Sequence, residues 1–238
     1  MSDHERIIRF NIGAAFPSAD PAARYVMRLA MATGDLNLAA DAFIKRGDEL
    51  TDFERFYYVR LLASHLRETV MLIDPPTKSV VPSLDDFVSG FGSAYPDLQA
   101  DLRQAQRDVC AYLDAPLVLR PQLTLRTELR RLRNQFFHYN WEARDDPQLQ
   151  RAMTMAGEID GLIREGPSSV RALYADEVAN QLMHPFDGSD GDFEAALREL
   201  HRAIVEVLGK ALRFARRAEA LYLLTRPAGV VTFERGSQ

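Results

Sequence analysis

The chain contains a single cysteine, Cys110. Without a second thiol it can form neither an internal disulfide nor a cysteine-rich zinc site. It also lacks any stretch approaching the roughly 18 consecutive apolar residues of a membrane span. Residues 1–10 alternate charge with single apolar side chains and have no apolar core of the kind a secretory signal needs. A soluble, cytoplasmic protein with no membrane partner is expected. Lysine is scarce: of 29 basic residues only Lys45, Lys78 and Lys210 are lysines, a bias that genome composition alone can produce. The formal charge of −5 argues against a generally basic, polyanion-coating protein, so any such site must be a local patch on an acidic body. There is no phosphate-cradling glycine-rich loop, no His-Glu-x-x-His and no Gly-x-Ser-x-Gly. Neither a metal nor a cofactor is therefore expected.

Strand-type alternation is almost absent, and helical periodicity dominates. Residues 21–46 read as one or two helices, with Pro21 in a first-turn position after Asp20 and a possible break at Gly34-Asp35. From Thr51-Asp52 a helix carries Phe56, Val59, Leu62, Leu66, Val70 and Ile73 at three- and four-residue spacing, and it stops at Pro75-Pro76. A short helix follows from Ser83, and another runs from Pro96 to about Leu113. Pro121 is expected to open a central helix over 121–142, and Asp145-Asp146-Pro147 the next, over 147–165. Gly166-Pro167-Ser168-Ser169 is a boundary, with 169–183 read as helical and Pro185 to Asp192 as a loop. A long final helix is expected over 193–225, striped by Leu197, Leu200, Ile204, Val207, Ala211, Ala215, Ala218 and Tyr222. Val230 to Phe233 is at most a short terminal strand. The expected architecture is a single all-α domain over 1–238, a bundle of six to nine helices.

The central helix is the chemically informative one. On an ideal helix Leu125, Leu129, Leu132, Phe136 and Tyr139 share a sector of about 80°, wide enough to pack a bundle core. Nearly opposite come Arg130, Asn134, Phe137, His138 and Trp141, where a merely peripheral helix would show plain solvated surface. Two large aromatics among polar groups call for a second covering, by another helix or another subunit. Asn134 and His138 are helical neighbours, whereas Arg133 points about 140° from His138. Two-fold packing of the helix against its copy could bring the groups of both chains into one cleft. Arg120, Arg126, Arg130 and Arg131 supply phosphate-seeking charge, and Phe137, Tyr139 and Trp141 supply flat surfaces for bases.

The sequence Arg133-Asn134-Gln135-Phe136-Phe137-His138 resembles the signature of the HEPN superfamily. That signature is an arginine followed directly by a polar residue, with a histidine a few positions on. Arg133, Asn134 and His138 match it with four residues between arginine and histidine. The match covers six residues of the chain, and its all-α, arginine-rich setting is in keeping with it. The resemblance implies four or five core helices, a homodimer formed through the motif helix and, in many members, metal-independent RNA cleavage; other members only bind or regulate. In one toxin branch a tyrosine stands two residues after the histidine. Here Asn140 takes that place and Tyr139 comes one earlier, so control by tyrosine modification is not expected.

For a ribonuclease of this kind, the ribose 2′-hydroxyl would attack the adjacent phosphorus and leave 2′,3′-cyclic phosphate and 5′-hydroxyl ends. His138, with an ordinary pKa of about 6.5, would move the proton, and Arg133 would stabilise the growing phosphate charge. Asn134 would orient the imidazole or the phosphate. Arg126, Arg130 and Arg131 would bind the RNA backbone, with Phe137, Tyr139 or Trp141 stacking a base. The expected setting is a toxin-antitoxin, stress or anti-phage system, with a cognate antitoxin or regulatory protein as a further partner. The alternative is a catalytically silent interaction or sensor module, in which the arginines are a solvated face paired with nearby acids and His138 is a packing residue.

Other candidates carry less. His65 borders an apolar stripe and reads as a core or interface histidine, and His184 precedes Pro185 with no partner at ligand spacing. Asp187, Asp190 and Asp192 lack the terminal glutamate of a calcium loop, so Asp192 reads better as a helix cap. The segment Ala175 to Ala179 is too acidic for a DNA-reading helix.

Overall fold

The computed structural model describes residues 6–46, 49, 52–76, 83–137, 153–154, 163–166, 169–172, 193–227 and 230–235. Along the chain run β1 (Arg6–Phe10), α1 (Ile12–Ala15), α2 (Pro21–Arg46), α3 (Asp52–Ile73), α4 (Leu84–Ser89), α5 (Pro96–Asp114) and α6 (Leu125–Phe137). They are followed by β2 (Ile163–Gly166), β3 (Ser169–Ala172), α7 (Phe193–Leu224) and β4 (Val231–Arg235). The architecture is an all-α bundle, seven helices among the described residues, with two short two-stranded ribbons added.

Caps and prolines set the start of α2, the end of α3 and the start of α4 where the sequence placed them. Asp20 Oδ1 accepts the Ala22 N–H at 2.8 Å ahead of Pro21. Ser83 forms a reciprocal capping box with Asp86, whose carboxyl is held below its ordinary pKa by the Ser83 side-chain and backbone donors. α3 ends at Ile73, before Pro75-Pro76. The possible break at Gly34-Asp35 does not occur: α2 is continuous from Pro21 to Arg46. One glycine costs a helix only about 1 kcal/mol, and Leu29, Leu36, Ala39 and Ala40 are buried on either side of it.

The chain forms two compact units. The first takes residues 1–34, 68–111 and 208–238. Its core holds Tyr25, Leu29, Val70, Ile73, Phe87, Leu102, Val109, Phe214, Leu221 and Tyr222. Tyr25 donates its buried hydroxyl to the Leu72 carbonyl at 3.0 Å, and burial pushes that hydroxyl's pKa up. β1 and β4 pair antiparallel, from Arg6 opposite Arg235 to Phe10 opposite Val231.

The second unit takes residues 35–67 and 112–207. Leu36, Val59, Leu62, Leu66, Leu113, Leu117, Leu125, Leu129, Leu132, Leu200, Ile204 and Val207 are buried in it. Two expected helix segments are corrected here. The end of 147–165 and the start of 169–183 are strands, β2 and β3, paired antiparallel with Gly166 opposite Ser169. Gly166 and Ser169 are a paired position of two antiparallel strands rather than the ends of two helices, and β-branched Ile163 and Val170 suit the strands. Among the described residues no helix is long and apolar enough to cross a membrane.

Candidate functional site on the arginine-rich helix

The segment before α6 is folded back on itself, and this decides where the helix starts. Pro116 and Thr124 form an antiparallel bridge, the Leu117 N–H donates to Leu123 O at 2.9 Å, and the Leu123 N–H donates to Arg120 O at 2.9 Å. Glu199 of α7 accepts the backbone N–H groups of both Val118 and Leu119. Thr124 and Thr127 then exchange hydrogen bonds: the Thr124 N–H donates to Thr127 Oγ1 at 3.1 Å and the Thr127 N–H to Thr124 Oγ1 at 3.3 Å. This reciprocal cap starts the helix at Leu125. The expected start at Pro121 is thus corrected, because residues 121–124 are held in the turn and bridge.

The leucine face of α6 is as the periodicity demands: Leu125, Leu129 and Leu132 are buried. About 100° around the helix from these leucines, Arg126, Arg130 and Arg133 recur at i, i+4 and i+7, a sector of about 60°. Their environments differ. Arg126 grips Asp114 through both carboxylate oxygens, Nε to Oδ1 at 2.5 Å and Nη2 to Oδ2 at 3.0 Å. Arg130 is exposed and makes no ion pair among the described residues, and Arg133 is half-buried. Arg131 faces another way. Its Nε and Nη2 both donate to Oε2 of Glu128, at 3.0 and 2.9 Å, and the Glu128 side chain is 3% exposed.

Two of the arginines expected to bind RNA, Arg126 and Arg131, therefore have carboxylates of their own, and Arg130 is the exposed arginine of this row. Asn134 and Phe137 belong to α6 by their backbone, but their side chains, with His138, Tyr139 and Trp141, lie outside the described residues. So do residues 138–142 of the expected helix, His184, Ala175 to Ala179 and the aspartates of 187–192. His65 is half-buried on α3, between buried Ser64 and Leu66. No cluster of three or more potential metal ligands occurs among the described residues.

Sequence reasoning missed Glu128, Asp114 and Glu199. The only signal for the first was its position three residues before Arg131 on one helix face. It also missed His201, whose ring packs against Phe43 with centroids 5.2 Å apart. His201 Nε2 is buried with no hydrogen-bond partner, and burial holds the imidazole below its ordinary pKa. A folded state that resists protonation binds fewer protons than the unfolded chain below about pH 6.5. Stability from this residue is therefore complete above that pH and is lost as pH falls towards the folded-state value. We expect the urea midpoint to drop between pH 7.5 and 5.5 by more in the wild type than in His201→Leu. Equal drops would show that His201 does not titrate in this environment.

The chain matches no known family model, no curated protein and no solved structure.

Proposed function

We propose that this protein is a HEPN-type, metal-independent ribonuclease or RNA-binding protein, working as a cytoplasmic homodimer through α6 in a toxin-antitoxin, stress or anti-phage response. The observation that carries the reading is the two-sided character of α6. Its leucines are buried, while Arg130 is exposed on another flank and Arg133 directly precedes Asn134 in the chain, five residues before His138. Arg133 stabilises the phosphate oxygens as the 2′-hydroxyl attacks, and His138 takes and returns the proton. Arg130 holds the RNA backbone, and Trp141, Tyr139 or Phe137 stacks a base.

Incubation of the purified protein with RNA and a chelator tests this directly. We expect cyclic-phosphate ends, and a rate loss of about 10²–10³-fold in Arg133→Ala, the usual effect of removing an oxyanion donor. A loss of about 10²–10⁴-fold is expected in His138→Ala. In binding assays Arg130→Ala reduces the salt slope by about one ion. Cleavage that survives both the Arg133 and the His138 substitutions excludes the mechanism.

A second reading, a catalytically silent dimerisation or sensor module, is favoured by the Arg126–Asp114 and Arg131–Glu128 pairs, which commit basic charge to internal ties. Salt-insensitive RNA binding with no cleavage would select it.

A further inference from the structure

The first unit contains a cleft of about 300 Å³ between the turn after α1 and the first two turns of α2. This is at the lower end of the roughly 300–1,000 Å³ typical of small-molecule sites. Its walls are of two kinds. Phe16, Pro17, Ala23 and Met27 are apolar, and Arg24 and Arg28 are cationic. On α2 the pair Ala23/Met27 and the pair Arg24/Arg28 each sit four residues apart, so two parallel stripes run along the cleft, one apolar and one basic.

The site is held ready. The Phe16 ring stacks on Tyr222 with centroids 5.1 Å apart and planes 17° from parallel, and it meets the Phe10 ring in a T-shaped contact with centroids 5.5 Å apart. Tyr222 is fixed by donating to Ala15 O at 2.8 Å, with Arg226 lying 4.2 Å from its ring centre. Arg226 in turn reaches Asp20 Oδ2 at 3.3 Å. The Arg24 guanidinium is oriented by donating Nη1 to Ser18 O at 2.7 Å. Arg28 is exposed, with no ion pair among the described residues. The start of α2 is already capped by Asp20, so a second anion here would be held by the two arginines and not by the helix end.

We propose that this cleft binds a small organic carboxylate with an apolar body, the carboxylate bridging Arg24 and Arg28 and the body lying against Phe16, Pro17 and Met27. Two exposed guanidiniums alone hold an inorganic anion weakly in water. The apolar wall supplies the rest and sets the selectivity.

Isothermal titration of the full chain with 1-naphthoate, decanoate and inorganic phosphate tests this, with saturation-transfer NMR for weak binding. We expect saturable binding of at least one of the two carboxylates, with phosphate failing to compete. Naphthoate winning identifies an aromatic body, and decanoate winning an alkyl one. Arg24→Gln/Arg28→Gln, both at exposed positions, weakens binding by about tenfold or more, as loss of charge-assisted contacts requires. Met27→Gln weakens it while leaving the charge intact. No saturable carboxylate binding, equal binding by the double variant, or phosphate binding as tightly as the carboxylates would each overturn the proposal.

Discussion

Arg131→Met lowers the unfolding free energy by about 3–5 kcal/mol, the range for removing one partner of a buried ion pair. The reason lies in Glu128. Its side chain is 3% exposed, and Oε2 takes two hydrogen bonds from the Arg131 guanidinium, at 3.0 and 2.9 Å. Without that partner a carboxylate stays buried, and its desolvation is no longer offset. Arg131 is 23% exposed, so water reaches the vacated space and the loss falls near the lower end of the range. The double variant Glu128→Leu/Arg131→Met recovers most of the stability, because an apolar pair of similar volume removes the charge as well as its partner. Urea unfolding followed by circular dichroism measures all three variants. A double variant as unstable as the single one would show that Arg131 stabilises the fold by something other than neutralising Glu128. The same result bears on function. If Glu128 accounts for the whole loss, Arg131 serves the fold rather than the proposed RNA surface.

What the sequence made legible follows from the range of the interactions involved. Burial of Leu125, Leu129 and Leu132 was readable because a helix converts a short periodic pattern directly into a face. The bounds of α3, α4, α5 and α7 were readable for a related reason: prolines and caps act within a few residues of the ends they set. The start of α6 was not. It depends on a bridge between Pro116 and Thr124 and on Glu199, 81 residues from the Val118 amide it accepts. The charge state of the basic face was equally hidden. Arg126 is neutralised by Asp114 across a loop, 12 residues away, and periodicity carries no information about that distance. The β2–β3 pair was misread because each strand is four residues long, too short for a period of two to stand out from one of 3.6. The pairing of β1 with β4 and the stacking of Phe16 on Tyr222 join the two ends of the chain. Tyr222 donates to a carbonyl 207 residues away, a contact no local pattern announces. For the candidate site, Arg130 is exposed and Arg133 half-buried on α6, and the roles of Arg133, Asn134 and His138 rest on the resemblance and its assay.

Leu129→Ala and Arg130→Ala are neighbours in sequence with opposite expected consequences, and together they test the two-sided character of α6. Leu129 is fully buried between Leu125 and Leu132 on the packed face. Truncating it removes the transfer free energy of its lost atoms and leaves a cavity that the surrounding leucines fill only in part, a loss of about 3–5 kcal/mol. Against the roughly 5–15 kcal/mol that holds a typical domain together, this is enough to populate unfolded chain at 37 °C. Arg130 is exposed and has no ion pair among the described residues, so its truncation changes stability by no more than about 0.5 kcal/mol. RNA affinity should respond in the other order. Arg130→Ala weakens binding and flattens its salt dependence in a fully folded protein, whereas Leu129→Ala reduces the fraction of protein able to bind and leaves the salt slope of the folded fraction unchanged. Equilibrium unfolding in urea and binding titrations at two salt concentrations separate the outcomes. If Arg130→Ala unfolds the protein as Leu129→Ala does, that side of α6 is a packed face and not the proposed polynucleotide surface.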